Sequence, residues 1–156
     1  MEFRSFMQDA LREARAAAAR GEVPVGAVIV RDGTIVARAG NRTRELADPT
    51  AHAEILVIRA ACAALGSERL AGHDLYVTLE PCAMCAAAIS AARIARIYYG
   101  ASDPKSGGVA HGARVFKHPQ AHHVPEVYDG ISAAQSEALL RDFFAARRLY
   151  SVRPNA

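Results

Sequence analysis

Two short segments constrain this chain more than anything else in it: His52-Ala53-Glu54 and Pro81-Cys82-Ala83-Met84-Cys85. One imidazole and two thiolates can close three corners of a tetrahedral zinc site and leave the fourth to water. Any fold that uses them must carry the histidine back to the cysteine pair across an intervening stretch of chain. Cysteines three residues apart at the start of a helix share a face, so both sulfurs can reach one ion. The positive end of the helix dipole favours thiolate, and zinc favours it further. Three protein ligands with an open corner is the catalytic form of a zinc site, in which bound water is acidified toward neutral pH. Glu54 can face the same pocket without binding the metal, take a proton from that water and return it to a substrate.

Two other readings of the same residues stay open. A structural zinc would be closed by a further histidine such as His73, His118 or His122. A redox dithiol would also place Cys82-x-x-Cys85 after a strand and at the head of a helix. Neither accounts for His52 and Glu54 standing together at a helix start. Cys62 lies in an apolar run and reads as a small core residue. With three cysteines in all, the chain carries no disulfide framework.

The sequence of 156 residues, 51% of them hydrophobic, fits a single domain over 1–156 with one packed core. A net charge of +3 is compatible with a nucleic-acid partner but does not demand one. No segment is long and apolar enough to span a bilayer, and the charged N-terminal region lacks a signal-peptide core. A cytoplasmic location is the expectation.

Phe3, Met7, Ala10, Leu11, Ala14 and Ala18 recur at helical spacing up to about Arg20, where Gly21 ends the helix. Val25 to Val30 and Thr34 to Ala39 read as a hairpin around Arg31-Asp32-Gly33. A polar loop leads to a helix over Ala51 to Leu65, a buried strand over Leu75 to Leu79, and a helix with Pro81 in its first turn. Arg96 to Gly100 is a further strand. Ala101 to His123, rich in glycine and histidine, shows no periodicity. Val124 to Tyr128 is expected as a last strand. Ser132 is expected to cap a final helix to Leu149, with Ala134, Leu139, Leu140, Phe143 and Phe144 on its apolar face. This alternation predicts an α/β protein, a three-layer α/β/α sandwich around a mixed five-stranded sheet.

Over nearly its whole length the chain resembles the bacterial tRNA adenosine deaminases, which convert the wobble adenosine of an anticodon to inosine. The likeness runs through Glu22-Val23-Pro24-Val25-Gly26-Ala27-Val28, Asn41-Arg42, Asp48 to Ile55 and Leu75 to Cys82. It continues through Gly100 to Lys105, and then Asp142-Phe143-Phe144 with Arg147-Arg148. The metal motif alone marks the wider cytidine deaminase-like superfamily; the flanking segments point to the tRNA branch. The resemblance implies the cytidine deaminase-like fold, a homodimer, one zinc per subunit and a tRNA anticodon stem-loop as substrate. It implies His52, Cys82 and Cys85 as metal ligands and Glu54 as the proton shuttle for zinc-activated hydroxide. By the same likeness, Asn41 hydrogen-bonds the flipped base and Val25 walls the pocket. Asp103 and Lys105 touch the RNA backbone, and Phe143, Phe144, Arg147 and Arg148 hold flanking bases and phosphates.

The segment Gly107 to Arg114 and the pair His122-His123 depart from the family pattern, which touches the RNA contacts and not the deamination chemistry. The principal alternative is a zinc deaminase of free nucleobases or nucleosides, of guanine or cytosine type. Ser90-Ala91-Ala92 counts against the guanine type, which carries a bulky Tyr-Trp pair at that point. A zinc-stabilised RNA-binding module without catalysis is the third reading, and it would tolerate loss of Glu54.

Overall fold

The computed structural model describes residues 3–151, with side chains as far as Arg148. Its elements run α1 (Met7–Ala19), β1 (Gly26–Arg31), β2 (Thr34–Gly40), α2 (Ala53–Leu65), β3 (Asp74–Leu79) and α3 (Ala83–Ala91). After these come β4 (Arg96–Ala101), a 3₁₀ turn (Val115–Lys117), β5 (Glu126–Tyr128) and α4 (Ala133–Ser151). The sheet order is β2-β1-β3-β4-β5. The first three strands pair antiparallel, and β3, β4 and β5 are parallel, so the sheet is mixed as expected.

Strand alternation builds the layers. Ala27, Ile29, Leu75, Val77, Ile97 and Tyr99 point to one face, where Ala53, Val57 and Ala61 of α2 and Ala86 and Ile89 of α3 cover them. Val28, Val30, Tyr76 and Tyr98 point to the other, under Phe6, Met7, Ala10 and Leu11, with Leu139 of α4 at the edge. Tyr76 and Tyr98 stack there with ring centroids 4.4 Å apart. Asp32 and Gly33 take φ +50° and +74°, the left-handed pair that a tight hairpin between twisted strands requires. At Gly26 a Cβ would collide with the backbone of Ala10 and Ala14, so the missing side chain lets α1 lie directly on β1.

The structure corrects four expectations. Pro81 stands before the helix and not in its first turn, because Cys82 takes the N-cap position with extended backbone (φ −70°, ψ 174°). Ser132 sits in the left-handed region at φ +56° before α4. Ala134 and Phe144 face outward, Phe144 being 44% exposed, so the apolar stripe of α4 is narrower than the sequence suggests. Cys62 is half-buried against the core. Among the described residues no helix is long and apolar enough to cross a membrane.

Candidate active site

The parallel order of β3 and β4 sends both strands toward the same end of the sheet, and the segment leaving β3 carries Glu80-Pro81-Cys82. β1 begins at that end, since Gly26 N–H donates to Thr78 Oγ1 at 3.2 Å. α2 starts beside it. Asp48 Oδ1 accepts from Thr50 N–H (2.8 Å) and Thr50 Oγ1 (2.7 Å), and His52 N–H donates to Thr50 O (2.8 Å). This turn delivers His52 to the N-cap of α2 in extended conformation, so its ring projects off the helix end.

The imidazole Nδ1 lies 3.7 Å from Cys82 Sγ and 3.6 Å from Cys85 Sγ. A tetrahedral zinc with Zn–S near 2.3 Å and Zn–N near 2.0 Å separates nitrogen from sulfur by about 3.5 Å. The three donors lie within 4.8 Å of one another and fit that ion. Among the described residues no fourth histidine, cysteine or carboxylate joins them, which argues against the closed structural site. His73 instead puts Nδ1 3.0 Å from Ala71 O, and His118 Nδ1 accepts from Gln120 N–H at 3.2 Å.

Cys82 is held at about 4, first by a hydrogen bond from the Cys85 thiol and then by His52. The same shared proton, with burial, drives Cys85 upward. A dication held by both sulfurs would take the place of that proton. Glu54, in the first turn of α2, is buried. Burial pushes its carboxyl up to about 7, with the nearby His52 pulling the other way. A carboxyl poised near neutral pH beside a metal site is suited to accept and return protons.

Val25 and Asn41 close the start of the β1–β2 hairpin together. Both are buried, and Asn41 N–H donates to Val25 O at 3.0 Å. Asn41 Nδ2 reaches Thr43 Oγ1 at 3.4 Å. The other six candidates converge elsewhere. Asp103, Lys105, Phe143, Phe144, Arg147 and Arg148 all line one open cleft of about 1370 Å³ between α4, the end of α1 and the loop after β4. Leu79, at the end of β3, and Ser102, just after β4, also line it, whereas the His52/Cys82/Cys85 cluster does not. Phe143 and Phe144 meet edge to face at 5.4 Å, and the Arg147 guanidinium lies 4.7 Å over Phe143.

Two buried carboxylates that sequence reading passes over hold the surrounding loops. Glu22 accepts from Glu45 N–H (2.8 Å), Arg44 N–H (3.3 Å) and Thr43 Oγ1 (3.5 Å), fixing the segment that follows Asn41. Glu80, 2% exposed, accepts from four backbone N–H groups, of Asp103, Val109, Ala110 and His111, at 3.1–3.2 Å. His111 Nδ1 adds a fifth contact at 2.7 Å. Those hydrogen bonds hold the Glu80 carboxyl below its ordinary value despite its burial. Gly107 and Gly108 make the approach possible: a Cβ on Gly107 would strike Glu80, and one on Gly108 would lie 2.5 Å from Ala83 N. The signal available in the sequence was Glu80 directly before Pro81-Cys82, followed later by a glycine pair.

The open three-ligand cluster with a buried, unligated carboxyl defines a zinc-dependent hydrolytic deaminase, and residues 1–101 match the family described as the cytidine and deoxycytidylate deaminase zinc-binding region, to which the chain belongs. Within it, the tRNA-specific adenosine deaminase of Agrobacterium fabrum is 64% identical over 144 residues, covering 92% of this chain and 95% of that protein. A solved structure from work on A-to-I editing by tRNA:A34 deaminases at the wobble position of transfer RNA superposes with a TM-score of 0.85. It is 64% identical and covers 86% of this chain and 98% of that one. A guanine deaminase structure from Bacillus subtilis shares the fold at a TM-score of 0.65, with 30% identity and 99% of each chain covered.

Proposed function

We propose that the chain is a tRNA adenosine deaminase: it hydrolyses the wobble adenosine of an anticodon to inosine and releases ammonia. The observation that carries this reading is the 64% identity to a tRNA-specific adenosine deaminase across nearly the full length of both chains. The 30% identity to a guanine deaminase supports the shared chemistry and not a free-base substrate.

His52 Nδ1 and the sulfurs of Cys82 and Cys85 hold the zinc. When bound, it supplies a Lewis acid that brings water at the open corner to an acidity near neutral pH. Glu54 takes the proton from the attacking water and passes it to the ring nitrogen beside the amine-bearing carbon. That carbon is then tetrahedral, and Glu54 takes the remaining proton from the added hydroxyl and hands it to the amine; the C=O bond forms as the C–N bond breaks, and the amine leaves as ammonia. Asn41 hydrogen-bonds the extruded base and Val25 packs on it. Asp103 and Lys105 meet the backbone beside the target nucleotide, while Phe143, Phe144, Arg147 and Arg148 take its neighbours. Residues 1–156 work as a single deaminase domain in the cytoplasm.

The active unit is a homodimer. α2 and α3, which cover the same face of the sheet, leave Ala60, Ala63, Met84, Ala87 and Ala91 exposed, small and apolar residues suited to a self-complementary interface. Incubating the purified zinc-loaded protein with an anticodon stem-loop bearing a wobble adenosine, beside free bases and nucleosides, tests the substrate. Inosine should form in the RNA alone. Ammonia released only from the small molecules overturns the proposal.

A further inference from the structure

Gly21 ends α1 with φ +82°, and its carbonyl oxygen accepts from two guanidinium groups. Arg44 Nη1 donates at 3.3 Å from the loop after β2, and Arg147 Nη2 at 3.1 Å from α4. Both side chains are exposed and line the same cleft. Two cations drawn onto one neutral oxygen repel each other, and an anion between them relieves that repulsion.

The carboxylates of the segments beside Arg44 and Gly21 are engaged elsewhere. Glu45 is held by Arg42 at 2.8 Å and approached by Arg20 at 4.0 Å, and Glu22 accepts from the backbone of Arg44 and Glu45. Arg44 is also pinned from behind by that Glu22 contact, so its backbone is set before any ligand arrives. Arg147 is restrained by the ring of Phe143 beneath it. Two pre-set planar forks match the tetrahedral oxygens of a phosphate better than a single lysine would. The adjoining Phe143–Phe144 pair offers a stacking surface for the base attached to that phosphate.

We infer that Arg44 and Arg147 form a two-guanidinium clamp for one phosphodiester of the bound RNA strand, centred on the Gly21 carbonyl. The clamp adds Arg44 as a binding residue from the opposite wall of the cleft to α4. This inference rests on the reading that the substrate is RNA.

Equilibrium binding of a labelled anticodon stem-loop to the zinc-loaded dimer, measured against salt concentration, tests it without depending on turnover. Arg44→Ala should weaken binding about tenfold, as expected for losing one charge-assisted hydrogen-bonded contact. It should also flatten the slope of log K against log salt by about 0.7, the value for one phosphate contact on a single strand. Arg44→Lys should keep the slope while losing part of the affinity. Arg147→Ala added to Arg44→Ala should cost less than the sum of the two single changes, because both grip one group. Unchanged affinity and slope in Arg44→Ala overturn the clamp. So does weaker binding with an unchanged slope and a lower melting temperature, which would make Arg44 a strap onto Gly21. Wild-type protein that binds the stem-loop with the Arg44-dependent slope but makes no inosine sinks the assigned reaction and sustains the clamp. Wild-type protein that binds no RNA sinks both.

Discussion

Glu80→Ala offers the sharpest test of how the cleft is held together. The substitution leaves four backbone N–H groups, those of Asp103, Val109, Ala110 and His111, without their acceptor, and frees the His111 ring. Val109 N–H is fully enclosed, so losing its charged partner costs about 2 kcal/mol, whereas the other three can recruit water and cost about 1 kcal/mol each. The sum of about 5 kcal/mol approaches the lower end of the stability of an ordinary domain, about 5–15 kcal/mol. At about 2–4 °C per kcal/mol for a chain of this size, the melting temperature should fall by about 10–20 °C. Glu80→Gln keeps one acceptor oxygen but turns an amide toward backbone donors, and should lose about half as much. Thermal unfolding of the zinc-loaded proteins reads the stability, and proteolysis between residues 102 and 112 reads the local loosening. A Glu80→Ala protein that melts within 2 °C of wild type, with that loop still protected, would refute the reasoning.

Stripping the metal exposes the cost of burying Glu54. Its folded pKa of about 7 lies above its ordinary 4.5, so the carboxyl favours folding only while protonated. That contribution is complete below pH 4.5 and is lost as pH rises through 7. Metal-free Glu54→Gln should therefore be more stable than metal-free wild type at pH 8, by about 3 kcal/mol, with the gap closing at acid pH; equal melting curves at both pH values count against it. Gly108→Ala places a Cβ 2.6 Å from Ala83 Cα and 2.8 Å from Cys82 C, backbone that cannot yield without moving the cysteine turn. Zinc affinity should drop at least tenfold in a competition titration, the scale on which loss of ligand support acts. Met84→Arg puts a charge on the exposed side of α3, where Met84 is 37% exposed; if that side forms the proposed dimer interface, light scattering should find a monomer.

The ligand set was legible because its information is chemical and local: few functions need an imidazole, two thiols and a nearby carboxyl at these spacings. The hairpin was legible at Asp32-Gly33, where turn stereochemistry selects residue types, and the core strands were legible from their β-branched runs. Glu22 and Glu80 were not, because a lone glutamate reads as solvated until the fold surrounds it with backbone donors. The stretch from Ala101 to His123 resisted for the related reason that side-chain-to-backbone bonds to Glu80 and Ser90 order it, with a repeating contact only in the short 3₁₀ turn at Val115–Lys117. The helix face of α4 was over-read. Periodicity marks which residues share a side, but Phe144 lines the open cleft and Ala134 turns toward solvent. Arg44 was passed over because its meaning comes from Arg147, which meets it only across the cleft.

α4 rests on β4 through a notch: a Cβ on Gly100 would sit 2.5 Å from the buried Ser136 Oγ, while Leu139, Leu140 and Phe143 are only half covered. Little apolar area therefore anchors this helix, and it belongs to the low end of the range of local opening energies, well below that of α1. Its amide protons should trade with deuterated solvent sooner than those of the sheet. A strand of nucleic acid lying along its aromatic and basic side would then act as the missing half of its packing, so that recognition and local ordering become one event.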